Sequence, residues 1–169
     1  MSQTTYNEKP GIAMPGLIAD VNDAARIRTG KFTDAAGGQF GTFVTKGAAE
    51  GEVKMMTGAG DKIAGLLVHT HHIDVTTLPA SKDINQNDIV PVMEVGRAYA
   101  LIEEDVAEDD AVYVRHTANG AGKLQLGAIR NDDDGGNAVL LKGATVRVGG
   151  TLAGDGCAVI AFNLEASRV

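Results

Sequence analysis

The chain has 169 residues and a formal charge of -7, from 22 acidic against 15 basic side chains. That is one domain's worth of material, and it lacks the clustered cations of a nucleic-acid-binding surface. Its single cysteine excludes an intrachain disulfide, and no run approaches the ~20 apolar residues of a membrane helix.

A domain of this size buries roughly 70% of its unfolded surface, so it needs neither a metal nor a disulfide to fold. One thiol fits a reducing cytoplasm, and Cys157, inside an apolar run, reads as a buried structural residue. The opening MSQTTYNEKPG has neither the basic flank nor the apolar core of a signal peptide. The 22 glycines suit many tight turns, while seven aromatics without tryptophan disfavour a glycan- or base-stacking platform.

In chain order, residues 1–36 form an extended, sticky arm. Pro10, Gly11, Pro15 and Gly16 interrupt any ladder, while Met14, Leu17 and Ile18 supply apolar anchors. Such a segment lies along something, either its own body or a neighbour, with a short helix over Asp20–Arg28 as a further expectation. A β-rich body follows over 37–169. Strands are predicted over Gly41–Lys46, Glu52–Met56, Ile63–Thr70, Ile89–Met93, Arg97–Ile102, Ala111–His116, Lys123–Leu126, Val139–Lys142, Thr145–Val148 and Ala158–Leu164. Ile63–Val68 is apolar on both faces, which predicts a central strand. Turn clusters at Gly58–Asp61, Asn85–Asp88, Asn119–Gly120, Asp132–Gly136 and Gly149–Gly150 leave strand-sized intervals. Ile73–Asn87 is the longest candidate loop. The fold class is all-β, a small antiparallel β-barrel or β-sandwich body with an extended N-terminal arm.

The chemical inventory is thin. His69 and His71 share a face of an extended strand about 7 Å apart, so a metal would need a third ligand such as His116 or Asp74. The alternative, which we favour, is that His69, His71 and His72 end a strand and line a loop or subunit contact. Asp132, Asp133 and Asp134 are contiguous and lack the spacing and terminal Glu of a calcium loop, so they read as a solvated turn. Glu103–Asp105 and Glu108–Asp110 read the same way. Among the motifs, GxxxxGK[ST], GxGxxG between strand and helix, and GxSxG do not occur. The expectation is no enzyme, no metal and no cofactor.

Three stretches carry a resemblance: the arm KPGIAMPGLIAD, the run Asp61–His69, and the block DAVYVRHTANGAGKLQLGAIRNDDDGGNAVLLKGA. Together they resemble the tailed-phage structural cement proteins, the gp24-like capsid decoration family, from about Tyr6 to Asn163. The series between Val112 and Asn137 is the most specific part. The resemblance implies homotrimers on the exterior of the virion capsid, made in the host cytoplasm and bound to the major capsid protein of the same phage. It implies no enzyme activity and no cofactor, while the charge and hydropathy above already count against nucleic acid and membrane. It also points to Pro10, Met14, Pro15, Leu17 and Ile18 as capsid or subunit contacts. Two other readings stand beside it: a β-barrel module attaching to host surfaces as a peripheral capsid accessory, and a metal-dependent enzyme using His69, His71 and His116.

Overall fold

Alternating burial along short segments gives twelve strands in a computed structural model that describes residues 14–20, 25–69, 83–120, 123–154 and 156–165. They are β1 (Ile18–Asp20), β2 (Arg26–Phe32), β3 (Gly38–Gln39), β4 (Phe43–Lys46), β5 (Glu52–Met55), β6 (Ile63–Leu67) and β7 (Asp83–Ile84). The second half adds β8 (Ile89–Leu101), β9 (Ala111–Arg115), β10 (Ile129–Arg130), β11 (Ala138–Val148) and β12 (Cys157–Asn163). The all-β class is correct.

Five strands close into a ring: β8 pairs β2, β2 pairs β5, β5 pairs β4, β4 pairs β6, and β6 returns to β8. Only the β2–β5 contact is parallel. Each stave sends a side chain into one shared cluster: Phe32, Val53, Val44, Leu67 and Val92 are all fully buried there. Closure removes the open edge that would otherwise invite intermolecular pairing.

The second half of β8 leaves the ring and pairs β12, which pairs β11, then β9, then β10. A parallel bridge between Ile102 and Ile129 brings this sheet back to the end of β8. Ala98, Ile102, Val112, Val114, Leu141 and Ile160 form its core, joined by Phe43, Leu66 and Met93 from the other face of the ring. β8 is therefore common to both halves. Gly96 marks the changeover: its φ is +141°, and a Cβ there would stand 3.0 Å from the Met93 sulfur.

The predicted strands mostly hold, with instructive differences. β6 is buried on both faces, as its apolar run predicts. The two predicted strands across residues 89–102 are one 13-residue strand, and those across 139–148 are one 11-residue strand. Gly96 and Gly143 interrupt the apolar pattern without ending the pairing. Lys123–Leu126 is not a strand: it lies between the Asn119–Lys123 bridge and a turn in which Gly127 donates to the Arg115 carbonyl at 2.8 Å. The expected helix over Asp20–Arg28 is also absent where the chain is described. Arg26–Phe32 instead runs antiparallel to β8, because that pairing gives its backbone partners and buries Phe32. β2 falls within the 1–36 stretch read as an arm, yet it is a stave of the ring.

Phe32→Ala should cost about 3–5 kcal/mol by opening a cavity in the ring. Leu124→Ala, at a residue 68% exposed, should stay within about 0.5 kcal/mol. Urea unfolding of the two variants checks both. A near-neutral Phe32→Ala would count against a packed ring.

Candidate contact surface

The apolar arm residues sit on the chain's own body. β1 pairs β8 antiparallel, with Ile18 opposite Ala98. Just before it, Gly16 donates to the Tyr99 carbonyl at 2.7 Å, and its own carbonyl accepts from the His69 amide at 2.8 Å. The Tyr99 amide donates to the Leu17 carbonyl at 2.8 Å. Gly16 fits between Phe40 and His69, and a Cβ on it would lie 2.8 Å from the Phe40 Cβ. Gly41 answers from the other side, where a Cβ would be 2.5 Å from that of Pro15. Both glycines have φ above +80°, so the close approach and the backbone turn need the same residue type.

This seat sorts the sequence-predicted contact residues. Ile18 turns inward and packs against the larger core. Leu17 points outward at 37% exposure, and Met14 and Pro15 are half-buried. Pro10 lies outside the described residues. The outward members are thus presented on a segment already hydrogen-bonded to the body.

The histidines divide differently. His69 is buried with its ring 4.0 Å from that of Phe40, and so helps build the seat for Gly16. His116 is buried on another strand end, its Nδ1 2.9 Å from the Thr117 hydroxyl. His71, His72 and Asp74 lie outside the described residues. Among the described residues, no three His, Cys, Asp or Glu side chains are grouped to hold a metal ion. Cys157 is buried, as its apolar run predicts.

The acidic turns correct the sequence reading. Glu103 is buried rather than solvated, and its carboxylate accepts from Arg115 Nε at 2.6 Å and from Arg130 Nη1 at 3.0 Å. Arg115 is fully buried. It also donates to Asp134 Oδ2 at 2.7 Å and to the Thr117 carbonyl at 2.8 Å. Arg130 further contacts Glu104 at 2.9 Å and the Asp132 carboxylate at 2.8 Å. Burial alone would lower the pKa of both guanidiniums, but their acidic partners reverse the shift and hold them charged. Glu108 and Asp109 do remain exposed, as expected. The network bolts the 103–105 turn to the 130–134 turn, and its carboxylates face guanidiniums rather than an open cavity. Sequence reasoning missed it because the two arginines sit in strands, 12 to 27 residues along the chain from the glutamates they pair. Periodicity gave no warning, because Arg115 shares the face of Ala111 and Tyr113 rather than that of Val112 and Val114, and β10 is only two residues long. A buried cation requires a paired anion, but its burial shows only in the fold.

The described residues thus form an all-β body with a closed ring, a strand docked on β8 and acids locked to arginines. The chain matches the family described as structural cement protein (E217 gp24/Pam3 gp6) over residues 2–163, and it belongs to that family. Among solved structures, it shares its fold with a chain in the capsid of Myoviridae phage XM1. The TM-score is 0.70 at 13% identity, over 96% of this chain and 97% of that one. No curated protein matches.

Asp134 gives a pH test of the network. The Arg115 hydrogen bond holds its carboxyl below the ordinary carboxylate value, opposed by desolvation and helped by the Arg130 charge. A depressed folded pKa contributes stability that is present above the ordinary value of 3.8 and lost as pH falls through the folded one. Asp134→Asn, which tolerates the local φ of +46°, should therefore unfold at lower temperature than the parent at pH 7. The gap should close as pH drops beneath 3.8. Thermal unfolding across pH 2–7 checks this, and a gap of constant size would contradict the pairing.

Proposed function

We propose that this cement protein binds the outer surface of the mature capsid of its phage as a homotrimer. It contacts the major capsid protein and holds neighbouring capsomers together. The role is mechanical and requires no catalysis, metal or cofactor. The observation that carries the reading is the family match over nearly the whole chain. The neighbouring fold from a phage capsid supports it, as does an outward apolar segment built onto a closed body.

Packaged DNA pushes the shell outward, and the contacts between capsomers are its weakest seams. A multimer touching several subunits at once binds multivalently, and linking modest contacts raises avidity by ~10²–10⁴ over one alone. A ligand that binds only the expanded lattice stabilises it by roughly 2.7 kcal/mol per site at a hundredfold excess over Kd. Ordering a free arm costs ~1–2 kcal/mol per residue, and residues 14–20 avoid much of that by lying on β8 beforehand. Met14, Pro15 and Leu17 then meet the capsid from a rigid platform, while Ile18 holds that platform down.

Purified protein should cosediment with expanded shells stripped of it and raise their melting temperature. Leu17→Ala should weaken that binding severalfold and leave thermal unfolding of the free protein nearly unchanged. Ile18→Ala should do the reverse, lowering the melting temperature first. Absence of binding to expanded shells would overturn the cement reading. Equal effects of the two variants on binding and unfolding would overturn the division of labour between them.

A further inference from the structure

Two surface features of opposite character remain after the arm and the arginine network are accounted for. The first is a cleft of about 490 Å³ where the β4–β6 end of the ring meets the first half of β11. Ile63, Val139 and Leu140 present apolar surface there, with Leu140 44% exposed. Lys46, Lys62 and Lys142 stand around it, all exposed. Three of the chain's eight lysines therefore ring one apolar depression in a molecule of net charge -7. The one acid on the rim, Asp61, is engaged locally: its carboxylate accepts from the Thr57 amide at 2.7 Å and the Gly58 amide at 3.1 Å.

The second feature, which we call the knob, is an acidic surface beyond the far end of β11. Asp105, Glu108 and Asp109 are exposed there, next to Val148 at 58% and Leu152 at 51% exposure. Short contacts hold the knob together. The Leu152 amide donates to Asp105 Oδ1 at 2.8 Å, the Asp109 amide donates to the Val146 carbonyl at 3.0 Å, and Val106 bridges Gly150. Asp105 is engaged locally, as Asp61 is, so Glu108 and Asp109 are the carboxylates the knob offers beside apolar side chains, whereas the cleft offers ammonium groups beside apolar side chains.

We infer that the knob of one copy docks into the cleft of the next, joining copies of this chain head to tail. Because the two halves occupy different places on one molecule, the contact is heterologous, and a heterologous contact that closes makes a ring. Apolar contact between Val148 or Leu152 and Leu140 supplies burial, and the facing charges supply register and exclude the reversed pairing. Knob on knob and cleft on cleft both oppose like charges. The inference deepens the self-association in the proposed function by naming its surfaces.

The test is a charge-swap series on the full chain, read by sedimentation equilibrium and native mass spectrometry at low salt. The parent should be multimeric. The cleft reversal Lys62→Glu with Lys142→Glu, and separately the knob reversal Glu108→Lys with Asp109→Lys, should each raise the dissociation constant at least tenfold. The protein carrying all four changes should recover the multimer, because the charges face again with their signs exchanged. All four positions are exposed, but Asp109 sits at φ +66°, so the melting temperature of each variant is measured to establish that it folds. A monomeric parent, or a multimer indifferent to both reversals, would overturn the inference. So would a cleft reversal that spares the multimer but abolishes binding to shells, because the cleft would then take a capsid segment. Shell binding by the parent is scored separately, so the cement reading stands or falls on its own measurement.

Discussion

Everything in this molecule depends on one strand serving two cores. β8 carries the ring partners β2 and β6 along its first half and β12 along its second, with β1 added beside Arg97 and Ala98. A strand shared in this way must be apolar on both faces in one region and alternate in another. Its burial follows that demand: Val92 and Met93 are both buried in the ring half, while Ala98 and Ala100 alternate with half-buried neighbours beyond Gly96. Because side chains change face every residue, a one-residue slip would turn both cores outward together. Register is therefore specified twice over.

The arginine network solves a related problem at the far end of the second sheet. The turns 103–105 and 130–134 contain six acids that would repel one another if left alone. Arg115 and Arg130, projecting from β9 and β10, pair with four of those residues and fix both turns against the end of the sheet. Taking charge out of water is costly, and the geometry compensates with several donors and acceptors for each guanidinium. The contribution to specificity is that the turns accept one arrangement, the one in which every guanidinium meets its acids.

The sequence made the all-β class, the body strands and the central position of β6 legible, because apolar alternation and turn residues report directly on pairing and burial. Boundaries failed where a glycine interrupted the apolar pattern inside one strand: at Gly96 the β12 ladder runs through unbroken, and at Gly143 β11 continues past an irregularity in its pairing with β9. β2 was missed because RIRTGKF buries only Gly30 and Phe32, too weak a pattern to distinguish from an irregular arm. Charge was the least legible property. Glu103 is buried and Glu108 is exposed, yet they look alike in one dimension, and only the positions of Arg115 and Arg130 separate them. The apolar arm residues were visible as sticky, but Gly16 and Gly41 reveal their meaning only as a facing pair.

The docking of β1 on β8 also decides how the molecule carries mechanical load. Backbone bonds between antiparallel strands lie across the strand direction, so tension along β1 strains those bonds together in shear rather than opening them one at a time. Tension entering at Met14 passes through β1 into β8, and from β8 divides between the ring and the second sheet. β1 is thus anchored by the strand with the most partners among the described residues, and a pull on it is a pull on both halves at once.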